Sequence, residues 1–148
     1  MRYNKSRVFL ADDDPEDRLF FKIAIDQIDD LVVALETFND GESLMQHLAE
    51  CKDLPYIVFL DLNMPGKSGH TCLEEIRQNS RYDKVSVAIY STSATDEDIE
   101  ATFVSGANVY IPKPDDVATL RQIIRHVLKT DLGFSLSNIS KENFLLRM

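Results

Sequence analysis

Short apolar runs rich in β-branched and aromatic residues recur five times, at residues 8–11, 32–38, 56–60, 85–90 and 108–111. Between them lie segments whose apolar residues fall three or four apart, the helical period. Leu19, Ile23 and Ile28 mark the first such segment, Leu44 and Leu48 the second, and Leu73 and Ile76 the third. Ile99 and Phe103 mark the fourth, and Leu120, Ile123, Ile124 and Val127 the last. Five strand–helix repeats whose strands lack in/out alternation predict an α/β, doubly wound fold: a parallel sheet covered by helices on both faces. Crossovers in such a sheet are right-handed, and ligands bind beyond the carboxyl ends of the strands.

Helix starts are written in the sequence as well. Asp14 before Pro15, Glu16 and Asp17 reads as a cap, a proline at the first helical position and acids in the first turn. Thr95 with Asp98 resembles a capping box, with aspartate in place of glutamate. Gly106 supplies a helix stop before the fifth strand.

At 148 residues the chain is long enough for one domain with a real core. Apolar residues make up 44% and charged residues 28%, an ordinary globular balance. The longest apolar stretches are too short to span a bilayer, and charge interrupts the N-terminus before a signal-peptide core develops. A cytoplasmic protein without membrane insertion is expected. Cys51 and Cys72 have neither CxxC spacing nor a secretory context and read as reduced thiols. His47, His70 and His126 show no ligand pairing. A formal charge of -9 disfavours sequence-independent DNA binding but suits a metal ion or a basic surface on another protein.

The strand ends carry the chemistry. Asp12 and Asp13 follow the first strand, Asp61 the third, Ser91 the fourth and Lys113 the fifth. Each alone has a bland reading, since acids cap helices and loops need polar residues. Together they would converge on one rim of the sheet. Carboxylates that close repel, and a divalent cation removes the conflict. Magnesium prefers oxygen ligands and recruits phosphate, so Asp12, Asp13 and Asp61 with a nearby backbone carbonyl suit Mg2+. A carboxylate beside such an ion can attack phosphorus to give an aspartyl phosphate. Lys113 would neutralise developing charge, and Ser91 would donate to a phosphoryl oxygen.

With those residues in place, the sequence resembles the response-regulator receiver domain, the CheY-like phosphoacceptor module of two-component signalling. The resemblance runs from about Arg7 to about Thr130. Asp12 and Asp13 match the family's acidic pair, Asp61 its phosphorylated aspartate, Ser91 its Ser/Thr, Tyr110 its switch aromatic and Lys113 its lysine. Asn63 matches the position whose main-chain carbonyl binds magnesium, and Thr92 stands where a smaller residue is usual. The resemblance implies a flavodoxin-like sheet of order 2-1-3-4-5 and a cis Lys113–Pro114 peptide. It also implies phosphotransfer from a histidine kinase or histidine phosphotransfer protein. Ser91 and Tyr110 would then reshape the face of helix four, strand five and helix five for a protein target.

Pro112 removes a backbone donor just before Lys113, which an edge strand tolerates. Residues 1–130 read as the receiver domain of a stand-alone, single-domain regulator. Residues 131–148 read as a C-terminal extension, too short for a DNA-binding domain yet apolar enough to pack on the receiver or on a partner. Two other classes compete. A haloacid-dehalogenase-type phosphatase would need a second acid where Asn63 stands, and a pseudo-receiver interaction module would have no use for all five reactive residues.

Overall fold

A computed structural model describes residues 2–130 and 144–146, with side chains from Arg7 onward. The strands are β1 (Arg2–Ala11), β2 (Ala34–Phe38), β3 (Asp53–Leu60), β4 (Ser86–Ser91) and β5 (Val109–Pro112). They alternate with α1 (Pro15–Asp26), α2 (Gly41–Glu50), α3 (Gly69–Gln78), α4 (Asp96–Val104) and α5 (Val117–Lys129). All neighbouring strands pair in parallel, in the order β2-β1-β3-β4-β5. The doubly wound fold expected from the repeat pattern and the family resemblance is the fold observed.

The strands read as continuous apolar runs because both faces of the sheet are buried. Phe9, Ala11, Val58, Leu60, Val87, Ile89 and Tyr110 point to one side and pack with α2, α3 and α4. Their neighbours Val8, Leu10, Ile57, Phe59, Ala88, Tyr90 and Ile111 point to the other and pack with α1 and α5. The two-residue strand period thus sorts one apolar run between two cores.

The helix caps form where expected, one of them only in half. The Asp14 carboxylate accepts from the Glu16 N–H at 2.9 Å, with Pro15 opening α1. Thr95 Oγ1 accepts from the Asp98 N–H at 3.1 Å, but the Asp98 carboxylate does not complete the box; it turns to Ser93 and His70. Gly106 adopts φ of 98°, the left-handed conformation that stops α4.

Three expectations need correction. The first helix does not bury the stripe of Leu19 and Ile23, which are 58% and 40% exposed; it buries Phe21, Ala24 and Ile25, while Ile28, buried as expected, lies just beyond its end. Two apolar stripes fit this helix at helical spacing, and the ring of Phe21, held edge-on by Phe59 and Tyr90, decides between them. The second strand begins at Ala34, leaving Val32 outside it at 88% exposure. Lys113–Pro114 is trans, as is every peptide bond among the described residues. The trans form is preferred by about 0.5–1 kcal/mol for an X-Pro bond, and here it already delivers the Lys113 ammonium to the acidic rim. Of the extension, residues 131–143 and 147–148 lie outside the described residues, while Phe144 is fully buried.

Candidate functional site

The sheet ladder runs one residue past the strands and fixes the acids at the rim. The Asp12 N–H donates to the Phe38 carbonyl and the Asp61 N–H to the Ala11 carbonyl, both at 3.0 Å. Asp12 and Asp61 therefore leave adjacent strands at the same level, with Asp13 one residue further out. One carboxylate oxygen from each of Asp12, Asp13 and Asp61 lies within 4.8 Å of the others. Asp12 is fully buried and Asp61 nearly so, while Asp13 is exposed and opens the cluster to solvent.

Lys113 reaches into this cluster from the end of β5. Its Nζ lies 2.8 Å from Asp12 Oδ2 and 3.6 Å from Asp61 Oδ2, and only 8% of its side chain is exposed. The strand register holds it there: the Lys113 N–H donates to the Ser91 carbonyl at 2.9 Å. Because residue 113 faces β4, Pro112 faces the open side of β5, where no ladder donor is required.

The charges do not balance. Burial, reinforced by Asp12 and Asp13 against the opposing pull of Lys113, raises the Asp61 carboxyl to about 6. Burial pulls the Lys113 ammonium down, but its hydrogen bonds to Asp12 and Asp17 outweigh that and leave it raised. Burial keeps the proton on Asp61 and the surrounding acids keep it on Lys113, so both groups hold their protons more tightly than usual. A divalent cation with oxygen ligands fits that donor set.

The other predicted residues sit around the cluster. The Asn63 N–H approaches Asp61 Oδ1 at 3.4 Å, placing the Asn63 backbone beside the acid. Ser91 is fully buried at the end of β4, and its hydroxyl accepts from the Ser93 N–H at 3.2 Å. Tyr110 is fully buried and its hydroxyl donates to the Ser93 carbonyl at 2.6 Å. Burial, ahead of the charge of Asp98, pushes its phenol up to about 12, so it remains a donor. All seven candidate residues therefore lie along the carboxyl-end rim or immediately behind it.

Three further residues escaped the sequence reading. Asp17 was assigned to the first turn of α1, yet its carboxylate pairs with Lys113 Nζ at 2.7 Å. Its spacing of four from Asp13 was the available signal, since an acid one turn into the helix can face back toward the strand end. Arg18 Nη1 donates to the Asp12 carbonyl at 2.7 Å and secures the loop after β1. Gly69 opens α3 so tightly against β3 that a Cβ there would stand 2.2 Å from the Asp61 carbonyl oxygen. Pro65 and Gly66, just before α3, are turn residues in the sequence, but they do not signal that contact.

Comparison with known proteins agrees with this arrangement. The family model "Response regulator receiver domain" matches residues 8–125. The probable methanogenesis regulatory protein FilR2 of Methanothrix harundinacea is 27% identical over 107 residues, covering 70% of this chain and 69% of its own. The nitrate/nitrite response regulator NarL of Escherichia coli strain K12 is 33% identical over 113 residues. That match covers 74% of this chain but 50% of NarL, so the likeness concerns half of that protein. Among solved structures, the phosphorylated cyanobacterial phytochrome response regulator RcpA superimposes with a TM-score of 0.76 at 26% identity. The superposition covers 91% of this chain and 96% of RcpA. Rim geometry, fold and matched residues lead to one conclusion: the chain belongs to the response-regulator receiver-domain family of two-component signalling.

Proposed function

We propose that the chain is a phosphoacceptor that takes a phosphoryl group on Asp61 from a phosphohistidine donor and signals by protein contact. The observation that carries this reading is Lys113 Nζ standing between two buried carboxylates, 2.8 Å from Asp12 and 3.6 Å from Asp61. A purely structural ion pair would need one acid, not three acids on one oxygen cluster. Asp12, Asp13 and Asp61, with the Asn63 main-chain carbonyl, would hold Mg2+. When bound, the ion supplies charge neutralisation for the cluster and for the phosphoryl oxygens.

The remaining work belongs to the chain. An Asp61 carboxylate oxygen attacks phosphorus, the new O–P bond forms as the donor's N–P bond breaks, and the imidazole nitrogen keeps the electron pair. No general base is needed, because the nucleophile carries no proton once Asp61 is ionised. Lys113 offsets charge on the transferred group, and the Ser91 hydroxyl turns from Ser93 to donate to a phosphoryl oxygen. Ser93 carries that movement to Tyr110, and the α4–β5–α5 face changes its surface for a protein target. The donor is a sensor histidine kinase or a histidine phosphotransfer protein, which places the reaction in the cytoplasm. A net charge of -9 favours a protein target over DNA. The chain thus acts as a signalling module rather than as a turnover enzyme.

Intact-protein mass after incubation with acetyl phosphate and magnesium tests the reading. One phosphoryl adduct is expected in the wild type, labile to alkali and absent from Asp61→Asn or without metal. If no adduct forms, and beryllofluoride with magnesium leaves the NMR spectrum unchanged, the domain is an interaction scaffold instead.

A further inference from the structure

The outer edge of β5 is not bare. Leu145 forms a parallel bridge with Tyr110, and the Leu146 N–H donates to the Tyr110 carbonyl at 2.9 Å. Leu145 and Leu146 therefore lie beside β5 through a single bridge, directly after Phe144, whose backbone is helical. Their side chains straddle the sheet edge: Leu145 packs with the core under α2, α3 and α4, and Leu146 with the core under α1 and α5. Phe144 anchors the segment. It is fully buried, edge-on to Phe103 of α4 at 5.3 Å and to Tyr110 at 6.2 Å.

This places the segment on the residue that faces the reactive rim. Tyr110 touches the segment through its carbonyl and its ring, and touches Ser93 through its hydroxyl. Ser93 in turn donates from its N–H to the Ser91 hydroxyl and from its own hydroxyl to Asp98 at 2.8 Å. A continuous set of contacts joins Phe144 to the rim through three residues. The Tyr110 ring is wholly shielded from solvent with Phe144 against it, so swinging the ring outward displaces Phe144. Phe144 fills the gap between α4 and β5 beside the tyrosine ring.

We propose that the β5 edge is a docking groove for a leucine pair preceded by an aromatic residue, that residues 144–146 occupy it as a tethered ligand, and that their docking and the burial of Tyr110 are one equilibrium. Strand addition to an open edge, with apolar side chains filling pockets on either side, is an established mode of peptide recognition. The tether raises the local concentration of the resident peptide, so any protein partner that reads this edge must displace it. A target that reads the buried-tyrosine surface elsewhere on α4 or α5 is instead favoured by it. The link to Asp61 rests on the phosphoacceptor reading above; the link between segment and tyrosine does not.

Amide hydrogen exchange on the full chain, read by NMR, tests this. In the wild type the Leu146 amide is expected to exchange about tenfold or more slowly than an unstructured amide, at a rate independent of protein concentration. Phe144→Ala should abolish that protection and broaden or shift the Tyr110 ring signals. Tyr110→Ala should also lower protection at Leu146, although the carbonyl that accepts its hydrogen bond is untouched. An unprotected Leu146 in the wild type, or protection insensitive to both substitutions, overturns the proposal. Protection that grows with protein concentration overturns the intramolecular assignment in favour of exchange between copies. Beryllofluoride with magnesium separates the two readings. If amides near Asp61 shift while Leu146 exchange is unchanged, coupling to the rim is overturned. If neither responds, the phosphoacceptor reading fails and the docking equilibrium is judged by the first two substitutions.

Discussion

The β4–β5 half of the rim adds to its main-chain ladder a set of hydroxyl bonds that the β1–β3 half does not share. Asp12 and Asp61 hang from main-chain hydrogen bonds that extend the sheet ladder, and the loop after β3 is wedged against Asp61 by Gly69. Ser91, Ser93 and Tyr110 are joined instead through hydroxyls, with Asp98 and His70 completing a side-chain network on α4 and α3. Backbone ladders have one arrangement, whereas hydroxyls rotate and exchange partners at little cost. The half that would do chemistry is thus rigid, and the half that would report it is built from bonds that can be remade.

The largest expected effect comes from breaking the rigid half. Gly69→Ala drives a Cβ to within 2.2 Å of the Asp61 carbonyl oxygen and 2.7 Å of Leu62 Cα, both backbone atoms that a side-chain rotation cannot clear. Overpacking of this kind costs about 3 kcal/mol, measured as a fall in the urea midpoint at unchanged slope. The same substitution should reduce phosphoryl incorporation by displacing Asp61.

A smaller effect of opposite sign comes from relieving the charge conflict. Asp61 is raised from 3.8 to about 6 in the folded protein, so the folded state binds its proton more tightly than the unfolded state does. The group therefore costs stability that grows as pH rises from about 4 to about 6 and stays constant above. Metal-free Asp61→Asn should be more stable than wild type at pH 7 by on the order of 2 kcal/mol, with the difference closing below pH 4. A magnesium titration should stabilise the wild type and leave the variant nearly unmoved. An equal response of the two proteins would contradict the assignment of Asp61 to the cluster.

The smallest effect belongs to the adjustable half. The Asp98 carboxyl is held below its usual range by the Ser93 hydroxyl, then by Thr95 and His70. Its folded-state pKa is depressed, so its contribution is present above pH 3.8 and is lost as pH falls below that. Asp98→Asn should cost below about 1 kcal/mol at pH 7, the scale of a partly exposed pair. It should nonetheless change the chemical shifts of Ser93 and the Tyr110 ring more than those of Asp12 or Asp61. A uniform perturbation of both halves would erase the distinction drawn between them.

The strand ends of both halves were legible in sequence, for one physical reason. An apolar run that ends in a polar residue fixes where that residue goes once the run is a strand, so Asp12, Asp61, Ser91 and Lys113 could be placed from spacing. Long-range side-chain choices leave no such trace. The spacing of Asp17 from Asp13 is compatible with both a partner of Lys113 and a first-turn acid, because both roles need a carboxylate one turn into α1. The exposed stripe of Leu19 and Ile23 competed with that of Phe21 and Ile25 at the same helical spacing, and only packing against Phe59 and Tyr90 chooses between them. The contact of Phe144 with Tyr110 joins residues far apart in the chain, and only the fold brings them together.

Pro112 has one more consequence. Alternate residues of β5 face outward, and the outward position after Tyr110 is a proline with no N–H to offer. An incoming chain can therefore pair along β5 as far as Tyr110 and then meets no backbone donor at the next outward position. The free margin of the sheet is a berth of fixed length: it accommodates one brief guest and resists the open-ended stacking by which exposed strands seed aggregates.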